Sequence, residues 1–362
     1  MRTVRPVHPG PEVLPLAAFG HMELDVLRHV LRGSSVVDWV RLHFRDQEEI
    51  RAFLRVNGFE PDDEADRARL EEVRRKALAF LADLSYRRIP ERIQAVDTFT
   101  LLELASGQGR RVHRFYACLT LKVMHIIHYT EAHELFSMLP ISNAELAVLL
   151  RGKIEHRVRG LIERGFPIVS FVGGVKTPSS VIAKLLAKVD TQAAQVFDKL
   201  RFRFVVRRIE DIPPLLIALT RELCPFNYLV PRQSDNTLLD LDPMLVRAGN
   251  LLAIREARGE SLKLNEPGGE AVLSPVTNEF SGPTYRVVHF IAEVPIRIDR
   301  VLPFRSDTLR DKGGVSYGTV EFQISDERTA LQNESGENRH VLYKRRQLAR
   351  VRQRLERGRL GG

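Results

Sequence analysis

The hydrophobic pattern of this chain changes its period near residue 165. Before that point, apolar residues recur at three- and four-residue steps, the spacing of one helix face, as in Leu70, Val73, Ala77, Leu81 and Leu84. After it, short alternating or mainly apolar runs predict strands separated by helical segments. This order predicts an α+β fold, with a mixed β-sheet flanked by helices and a helical region before it.

Helices are predicted over 63–85 and about 110–136, and a third is predicted to begin after Ser142–Asn143, which are typical capping residues. We divide the chain into a helical N-terminal domain of unknown role (1–140), a main domain (141–345) and a basic tail (346–362). The main domain contains an insertion at about 233–283 that is rich in Gly, Pro, Asn and Asp. This composition is compatible with either a lid or a disordered segment.

Four stretches of the second half predict strands. The run FPIVSFV (166–172) is apolar except for Ser170 and is typical of a buried strand. The other three are LRFRFVV (200–206), YRVVHFIAEVPIRI (285–298) and TVEFQIS (319–325). In the last one Val320, Phe322 and Ile324 alternate with polar residues, so Glu321 lies either on a solvated face or in a site that needs a carboxylate.

The composition excludes some classes of protein. No run of about 18 apolar residues occurs, so no membrane-spanning helix is predicted. The first twenty residues contain too many prolines for a signal peptide. Cys118 and Cys224 lie far apart and have no metal or redox spacing, which favours reduced core thiols in a cytoplasmic protein.

Positive charge is concentrated at the end of the chain. The formal net charge is +9, and residues 341–362 contain eight basic residues and one glutamate. This block predicts either a solvated helix end or a tail that binds RNA or another anion.

The stretch GGVKTPSSVIAKLLAK (173–188) combines glycines, lysines and hydroxyls at the start of a predicted helix. Lys176 precedes the helix, and Ser180 and Lys184 are one helical turn apart. A helix N-terminus with these groups suits a polyphosphate, whereas the alternative is an ordinary surface helix with exposed lysines.

Two predicted strands carry polar residues on one face. Arg201 and Arg203 alternate with apolar residues, which suits either an anion site or an edge strand protected by charge. Tyr285 and His289 share a face of the following strand, where they could stack on a base and contact a phosphate, or form a half-buried sheet face.

In order and spacing, these stretches resemble the synthetase domain of RelA/SpoT-type (p)ppGpp synthetases, which has a nucleotidyltransferase-like fold. The family motif R-x-K-x-x-x-S-x-x-x-K is similar to the segment from Gly174 through Lys176 and Ser180 to Lys184. The motif D-x-x-[GA]-x-R is matched by Asp198 and Arg203.

Further motifs extend the resemblance over about 142–345. NYLVPR, TYRVVH and EFQISD are similar to the family's D-Y-I…P-K, G-Y-x-S-x-H and E-I-Q-I-R-T. After them the family carries a spaced Glu, His and Tyr-Lys, and here Glu334, His340 and Tyr343–Lys344 lie at matching offsets.

The resemblance implies transfer of pyrophosphate from ATP to the 3′-hydroxyl of an acceptor nucleotide, with GTP or GDP favoured. Glu321 is implied as a ligand of Mg²⁺ and as a candidate base. The other implied roles are donor-phosphate binding by Lys176, Ser180, Lys184 and Arg203, acceptor binding by Arg232, Tyr285 and His289, metal binding by Asp198, and support from Gln323, Glu334, His340 and Lys344.

Alternatives stay open. Gly174, Val287 and Ser325 differ from the residues of the family motifs, which allows a nucleotide sensor without catalysis. The basic tail allows a transferase that acts on tRNA 3′ ends, as in some toxic members of the family. A homo-oligomer is also open.

Long members of that family carry an upstream HD-type hydrolase domain. The segment HIIHYTEAHE contains His125, His128 and His133, but no His-Asp dipeptide occurs in the chain. We therefore interpret these histidines as core or surface residues, and residues 1–140 as a regulatory or packing domain.

Overall fold

The computed structural model describes residues 13–84, 88–138, 140–187, 200–260, 282, 284–301, 312–335 and 340–356. Within these ranges no helix is long and apolar enough to cross a membrane. Cys118 and Cys224 are both buried and both free thiols, as expected.

The first half is helical. Its helices are α1 (His21–Arg32), α2 (Gln47–Val56), α3 (Glu64–Asp83), α4 (Glu91–Ala95), α5 (Thr98–Ala105), α6 (Arg111–Met138) and α7 (Asn143–Glu163), with short 3-10 turns at Leu16–Ala18 and Val36–Asp38. The three predicted helices correspond to α3, α6 and α7 within a few residues. Ser142 caps α7 in a capping box with Glu145, because each side chain accepts a hydrogen bond from the other residue's backbone N–H, at 3.2 and 2.8 Å.

The second half alternates strands and helices, so the predicted α+β fold is confirmed. Its elements are β1 (Ile168–Val175), α8 (Pro178–Ala187), β2 (Leu200–Val206), α9 (Ile212–Glu222), β3 (Asp235–Asn236), α10 (Leu241–Arg247), α11 (Leu251–Ala257), β4 (Val288–Arg297), α12 (Ile298–Val301), β5 (Val315–Asp326), α13 (Glu327–Asn333) and α14 (His340–Glu356), with 3-10 turns at Ile209–Asp211 and Phe226–Tyr228.

The strands of the described part form a mixed sheet in the order β1-β2-β5-β4-β3. β2 and β5 are parallel, whereas the β1–β2, β5–β4 and β4–β3 pairs are antiparallel. β5 therefore lies at the centre of the sheet, between β2 and β4.

One face of the sheet is apolar and forms the core. Phe202, Phe204, Phe290 and Phe322 are fully buried on this face. Helix α7 packs closely against it, since a Cβ atom on Gly318 would lie only 2.0 Å from Leu150 Cδ1. This contact explains a glycine at the centre of β5, where a strand would otherwise favour a larger residue.

The opposite face is divided between packing and polar side chains. At one end α6 covers it, where Ala132 packs with Tyr228, Val315 and Tyr317. At the other end β5 presents Glu321, Gln323 and Ser325. Glu321 and Gln323, two of the candidate site residues, therefore lie at the polar end of this face.

The prediction that 166–172 is a buried strand was wrong. β1 is an edge strand, paired only with β2 among the described strands, and Val169, Val172 and Val175 are 48%, 61% and 55% exposed. An apolar run shows that a strand is favourable, but it does not show whether a second neighbour covers it. The prediction for β2 contained the opposite error. Its arginines suggested an edge strand protected by charge, but β2 lies in the interior of the sheet, between β1 and β5.

Two further boundaries differ from the prediction. The strand predicted over 285–298 begins only at Val288, so Tyr285 lies in the turn before it. The insertion at 233–283 contains β3, α10 and α11 in its first part, whereas residues 261–281 lie outside the described residues. The domain division at residue 140 stays a prediction, although Leu24 and Leu27 of α1 belong to the same hydrophobic core as the sheet.

Candidate active site

Glu321 is a buried carboxylate at the centre of the polar end of the sheet. Its exposed fraction is only 4%. Oε1 accepts a hydrogen bond from Gln323 Nε2 at 2.8 Å and lies 3.3 Å from His289 Nε2. Oε2 lies 3.1 Å from Lys176 Nζ and accepts no hydrogen bond from the described residues. The solvated strand face considered for Glu321 is therefore excluded.

The charge of Glu321 is stabilised by its neighbours. Burial by itself raises the pKa of this carboxyl, but His289, Lys176 and Arg201 outweigh the effect and hold the pKa well below its usual range. Glu321 is consequently an anion at neutral pH despite its burial.

The sheet register brings these side chains together from three strands. Arg201 of β2 lies opposite Glu321, and Arg203 lies opposite Gln323. On the other side of β5, His289 of β4 lies opposite Gln323. Directly opposed residues project to the same face of a sheet, so two arginines, a histidine, an amide and a carboxylate share one surface.

The start of α8 adds hydroxyls and a second lysine to this surface. Thr177 Oγ1 accepts a hydrogen bond from Ser180 N at 3.3 Å and lies 3.0 Å from Ser180 Oγ. Ser180 Oγ also accepts a hydrogen bond from Lys344 Nζ of α14 at 3.0 Å. α14 therefore supplies a cation to the helix N-terminus, although it is 164 residues away in sequence. The side chain of Lys184 lies outside the described residues.

Tyr285 lies near the two arginines. Burial raises the pKa of its phenol, while Arg203 and Arg201 offset part of that rise. Arg203 itself is exposed. An aromatic ring beside two guanidinium groups, one of them exposed, offers a surface on which a base could stack and a phosphate could bind.

Arg232 is exposed and has an unusual backbone conformation. Its φ angle is 62°, the only positive φ of a non-glycine residue in the described part of the chain. Its N–H donates a hydrogen bond to the carbonyl of Gly33 at 2.8 Å. A left-handed conformation is costly for a residue with a Cβ atom, and such residues are often found at functional sites.

Other predicted site residues are not brought to Glu321 by the described part of the structure. Asp198 and the side chain of His340 lie outside the described residues. Glu334 is exposed at the end of α13. The convergence of Asp198 with Glu321 therefore stays a prediction.

The described donor set fits Mg²⁺ only in part. No group of three or more His, Cys, Asp or Glu side chains that could hold a metal occurs within the described ranges. Glu321 Oε2, however, is a buried carboxylate oxygen without a hydrogen bond from those residues. Mg²⁺ commonly takes one or two carboxylates together with substrate phosphates and water, so one such oxygen is compatible with it.

The sequence singled out Arg201 only as one of two arginines that suit an anion site, without a role in the family motifs. Asp235 was not predicted, since its place opposite His289 depends on the pairing of β3 with β4. Burial raises the pKa of Asp235, and His289 offsets part of the rise.

The histidines of α6 take no part in this site. His125 and His128 are buried in the helical region, where burial lowers their pKa values to about 4 and about 3. His133 lies 3.3 Å from Glu293, on the part of the sheet that α6 covers. Their surroundings agree with the interpretation as core and surface residues.

Solved structures to which this chain is similar include two small alarmone synthetases and a GTP pyrophosphokinase family protein. Small alarmone synthetase 1 from Bacillus subtilis, bound to its product pppGpp, matches with 16% identity, 60% of this chain and 89% of that chain covered, and a TM-score of 0.30. Small alarmone synthetase 2 from Bacillus subtilis matches with 14% identity, 60% and 96% covered, and a TM-score of 0.29. A GTP pyrophosphokinase family protein from Streptococcus pneumoniae matches with 14% identity, 59% and 82% covered, and a TM-score of 0.28.

No family model matches the chain, and no curated protein matches it. TM-scores near 0.3 and identities near 15% do not establish a shared function.

Proposed function

We propose that this protein transfers pyrophosphate from ATP to the 3′-hydroxyl of an acceptor nucleotide. The observation that carries the proposal is the buried, charged Glu321 between Lys176 and His289, on a surface that also presents Arg201 and Arg203. Phosphoryl-type transfer needs cations around the donor phosphates and a group that accepts a proton from the attacking hydroxyl.

The donor end is assigned to the start of α8. Lys176, Ser180 and Lys344 lie at a helix N-terminus, where unpaired backbone N–H groups favour a polyphosphate. Lys184 and Arg203 are assigned to the same phosphates, as the motifs imply. Mg²⁺, when bound, would neutralise phosphate charge, and Glu321 together with Asp198 would hold it.

The acceptor end is assigned to the other side of β5. Tyr285 would stack on the base, while His289 and Arg232 would contact its phosphates. Glu321 would take the proton from the 3′-hydroxyl, since its carboxylate is charged and lies between the residues assigned to the donor and those assigned to the acceptor. GTP or GDP is the proposed acceptor, on the motif resemblance alone.

The test is a product screen with labelled ATP, Mg²⁺ and a panel of acceptor nucleotides that includes GTP, GDP and adenine nucleotides. A product with pyrophosphate on the 3′-hydroxyl is expected, and Glu321→Gln should abolish it with the fold retained. Glu163→Gln, at an exposed position at the end of α7, is the matched control and should keep full activity. Absence of product with every acceptor would contradict the proposal.

One observation favours a second candidate, a nucleotide sensor without catalysis. Glu321 is already close to Lys176 and His289, and a carboxylate stabilised in this way is a weaker base. Nothing lies within 4 Å of a Cβ position on Gly174, where the family motif has an arginine. Calorimetric binding of ATP without any turnover would support this candidate.

The RNA-directed alternative rests on the basic end of the chain. Two basic residues of α14 form hydrogen bonds within the protein. Lys344 donates one to Ser180, and Arg354 donates one to the Leu186 carbonyl at 2.6 Å. Arg345 and Arg352 are exposed. Labelled tRNA in the same screen separates this alternative from transfer to a nucleotide.

A further inference from the structure

A cavity of about 130 Å³ lies in the helical region, away from Glu321. Residues of α2, α3, α5, α6 and the turn Phe226–Tyr228 line it, and its walls are mainly apolar. Among the lining residues are Trp39, Leu54, Val73, Leu102, Leu121 and Phe226. Engineered apolar cavities of about 150 Å³ hold a benzene ring, so this cavity admits an apolar group of about six carbons.

A lysine also lines this cavity. Lys122 is half-buried, and it forms no hydrogen bond or salt bridge with any residue that the structure describes. Burial lowers the pKa of its ammonium, and Cys118 and Asp38 offset part of that change. Arg41 adds a second positive charge to the lining. Asp38 offsets the burial of this ammonium only in part, so a ligand carboxylate beside it would offset more.

Asn57 and Asn227 add a polar pair to the lining of the cavity. Asn227 Nδ2 donates a hydrogen bond to Asn57 Oδ1 at 2.9 Å, whereas Asn227 Oδ1 is buried and has no partner among the described residues. Small-molecule sites commonly combine apolar walls with a few such polar atoms, which fix the orientation of the ligand. Apolar volume and a lysine that forms no hydrogen bond or salt bridge with the described residues occur together here.

We propose that this cavity binds a small amphipathic carboxylate, with an apolar part of about six carbons against Trp39 and Phe226 and its carboxylate against Lys122. Hydrophobic burial supplies the affinity of the apolar part. The ammonium supplies the preference for an acid over a neutral molecule of the same length. The site is separate from the proposed nucleotide site and does not depend on that function.

Trp39 makes the proposal directly measurable, because it is the single tryptophan of the chain and lines the cavity. ω-Bromohexanoate carries a heavy atom that quenches tryptophan fluorescence on contact. We expect saturable quenching of the full-length protein without nucleotide, at a concentration roughly tenfold lower than for ω-bromohexanol, the neutral analogue. Potassium bromide controls for collisional quenching.

Variants separate the ammonium from the cavity. Lys122→Met should remove the preference for the acid, so that the acid and the alcohol quench at similar concentrations. Arg159→Met, which removes a charge at an exposed position on α7, should leave the preference unchanged. Leu121→Phe should weaken quenching by both molecules, because it fills the cavity.

Circular dichroism establishes that each variant is folded, and Lys122→Gln replaces Lys122→Met if the latter is not. The proposal is overturned if quenching does not saturate, or if the acid and the alcohol are equivalent in the unmodified protein. A preference for the acid that persists without the Lys122 ammonium would overturn it as well.

Discussion

Glu321 shows how much of a site depends on the neighbours of one side chain. A carboxylate on a buried strand is unstable unless cations compensate it. Here Lys176 does so from the segment between β1 and α8, and His289 and Arg201 do so from β4 and β2. Each of these residues therefore affects both the stability of the fold and the proposed chemistry.

Replacing Lys176 with Met tests its effect on the stability of the fold and its effect on the proposed chemistry. The variant leaves Glu321 with fewer compensating charges, so we expect a loss of about 1–3 kcal/mol in the free energy of unfolding, measured in urea. Pyrophosphate transfer should fall by roughly 100-fold or more, since a cation at the donor phosphates is lost.

The double variant Lys176→Met with Glu321→Gln is the control for this experiment. It should recover most of the stability, because the uncompensated charge is gone, and it should remain inactive. Equal stabilities of the single and double variants would show that Lys176 does not compensate Glu321.

Tyr285 is expected to act through its ring rather than its hydroxyl. Stacking of a base on an aromatic side chain contributes about 1–3 kcal/mol. Tyr285→Ala should therefore raise the KM for the acceptor nucleotide by roughly tenfold, whereas Tyr285→Phe should change it little. A large effect of Tyr285→Phe, measured at saturating ATP, would assign the hydroxyl rather than the ring to acceptor binding.

Among the elements, α6 has the most unusual electrostatics. It covers one end of the polar sheet face and also lines the apolar cavity. Neither His125 nor His128 has a hydrogen bond or salt bridge to a carboxylate of the described residues, and their pKa values are about 4 and about 3. Both histidines are neutral in the folded protein at neutral pH.

These histidines should make the protein sensitive to acid. Their folded pKa values lie below the unfolded value of about 6.5, so below that pH the unfolded chain binds protons that the folded chain does not. Stability should therefore fall as the pH drops from about 6.5, by roughly 2 kcal/mol for each histidine at pH 5.

Urea unfolding at pH 7 and pH 5 measures this effect. His128→Gln should reduce the difference between the two free energies of unfolding by about 2 kcal/mol. His156→Gln, at an exposed position on α7, is the matched control and should leave the difference unchanged. An unaltered pH dependence in His128→Gln would show that burial of this histidine does not cause the acid sensitivity.

At the scale of the whole molecule, the helical first half and the sheet share a hydrophobic core. Leu24, Leu27 and Trp39 belong to the same buried cluster as Phe202 and Phe322. The polar surface lies where α6 no longer covers the sheet. The helical region thus contributes to the position of the site, although it supplies none of the motif residues.

This continuity predicts that a change in α1 destabilises the sheet. Leu27 is completely buried, and Leu27→Ala should cost about 2–5 kcal/mol. Trp39 fluorescence and far-UV circular dichroism should then show urea transitions that shift together. Leu251→Ala, at a leucine that is 72% exposed, is the control. A shift confined to the Trp39 signal would show that the first half unfolds separately.

The sequence by itself determined the local features of this protein. Apolar spacing placed α3, α6 and α7, and alternation placed β2 and β5 with the correct residues on each face. The motif order pointed to Lys176, Ser180, His289 and Glu321 before any contact between them was known. Periodicity suffices for these features because a residue's side-chain direction depends only on its own helix or strand.

Only the tertiary structure decided what covers each face. It made β1 an exposed edge and β2 an interior strand, contrary to the pattern of their residues. It placed Lys344 against Ser180, and it set Asp235 opposite His289. Burial and charge compensation arise from neighbours that are distant in sequence, and for that reason the alternation around Glu321 could not distinguish a solvated strand face from a buried site.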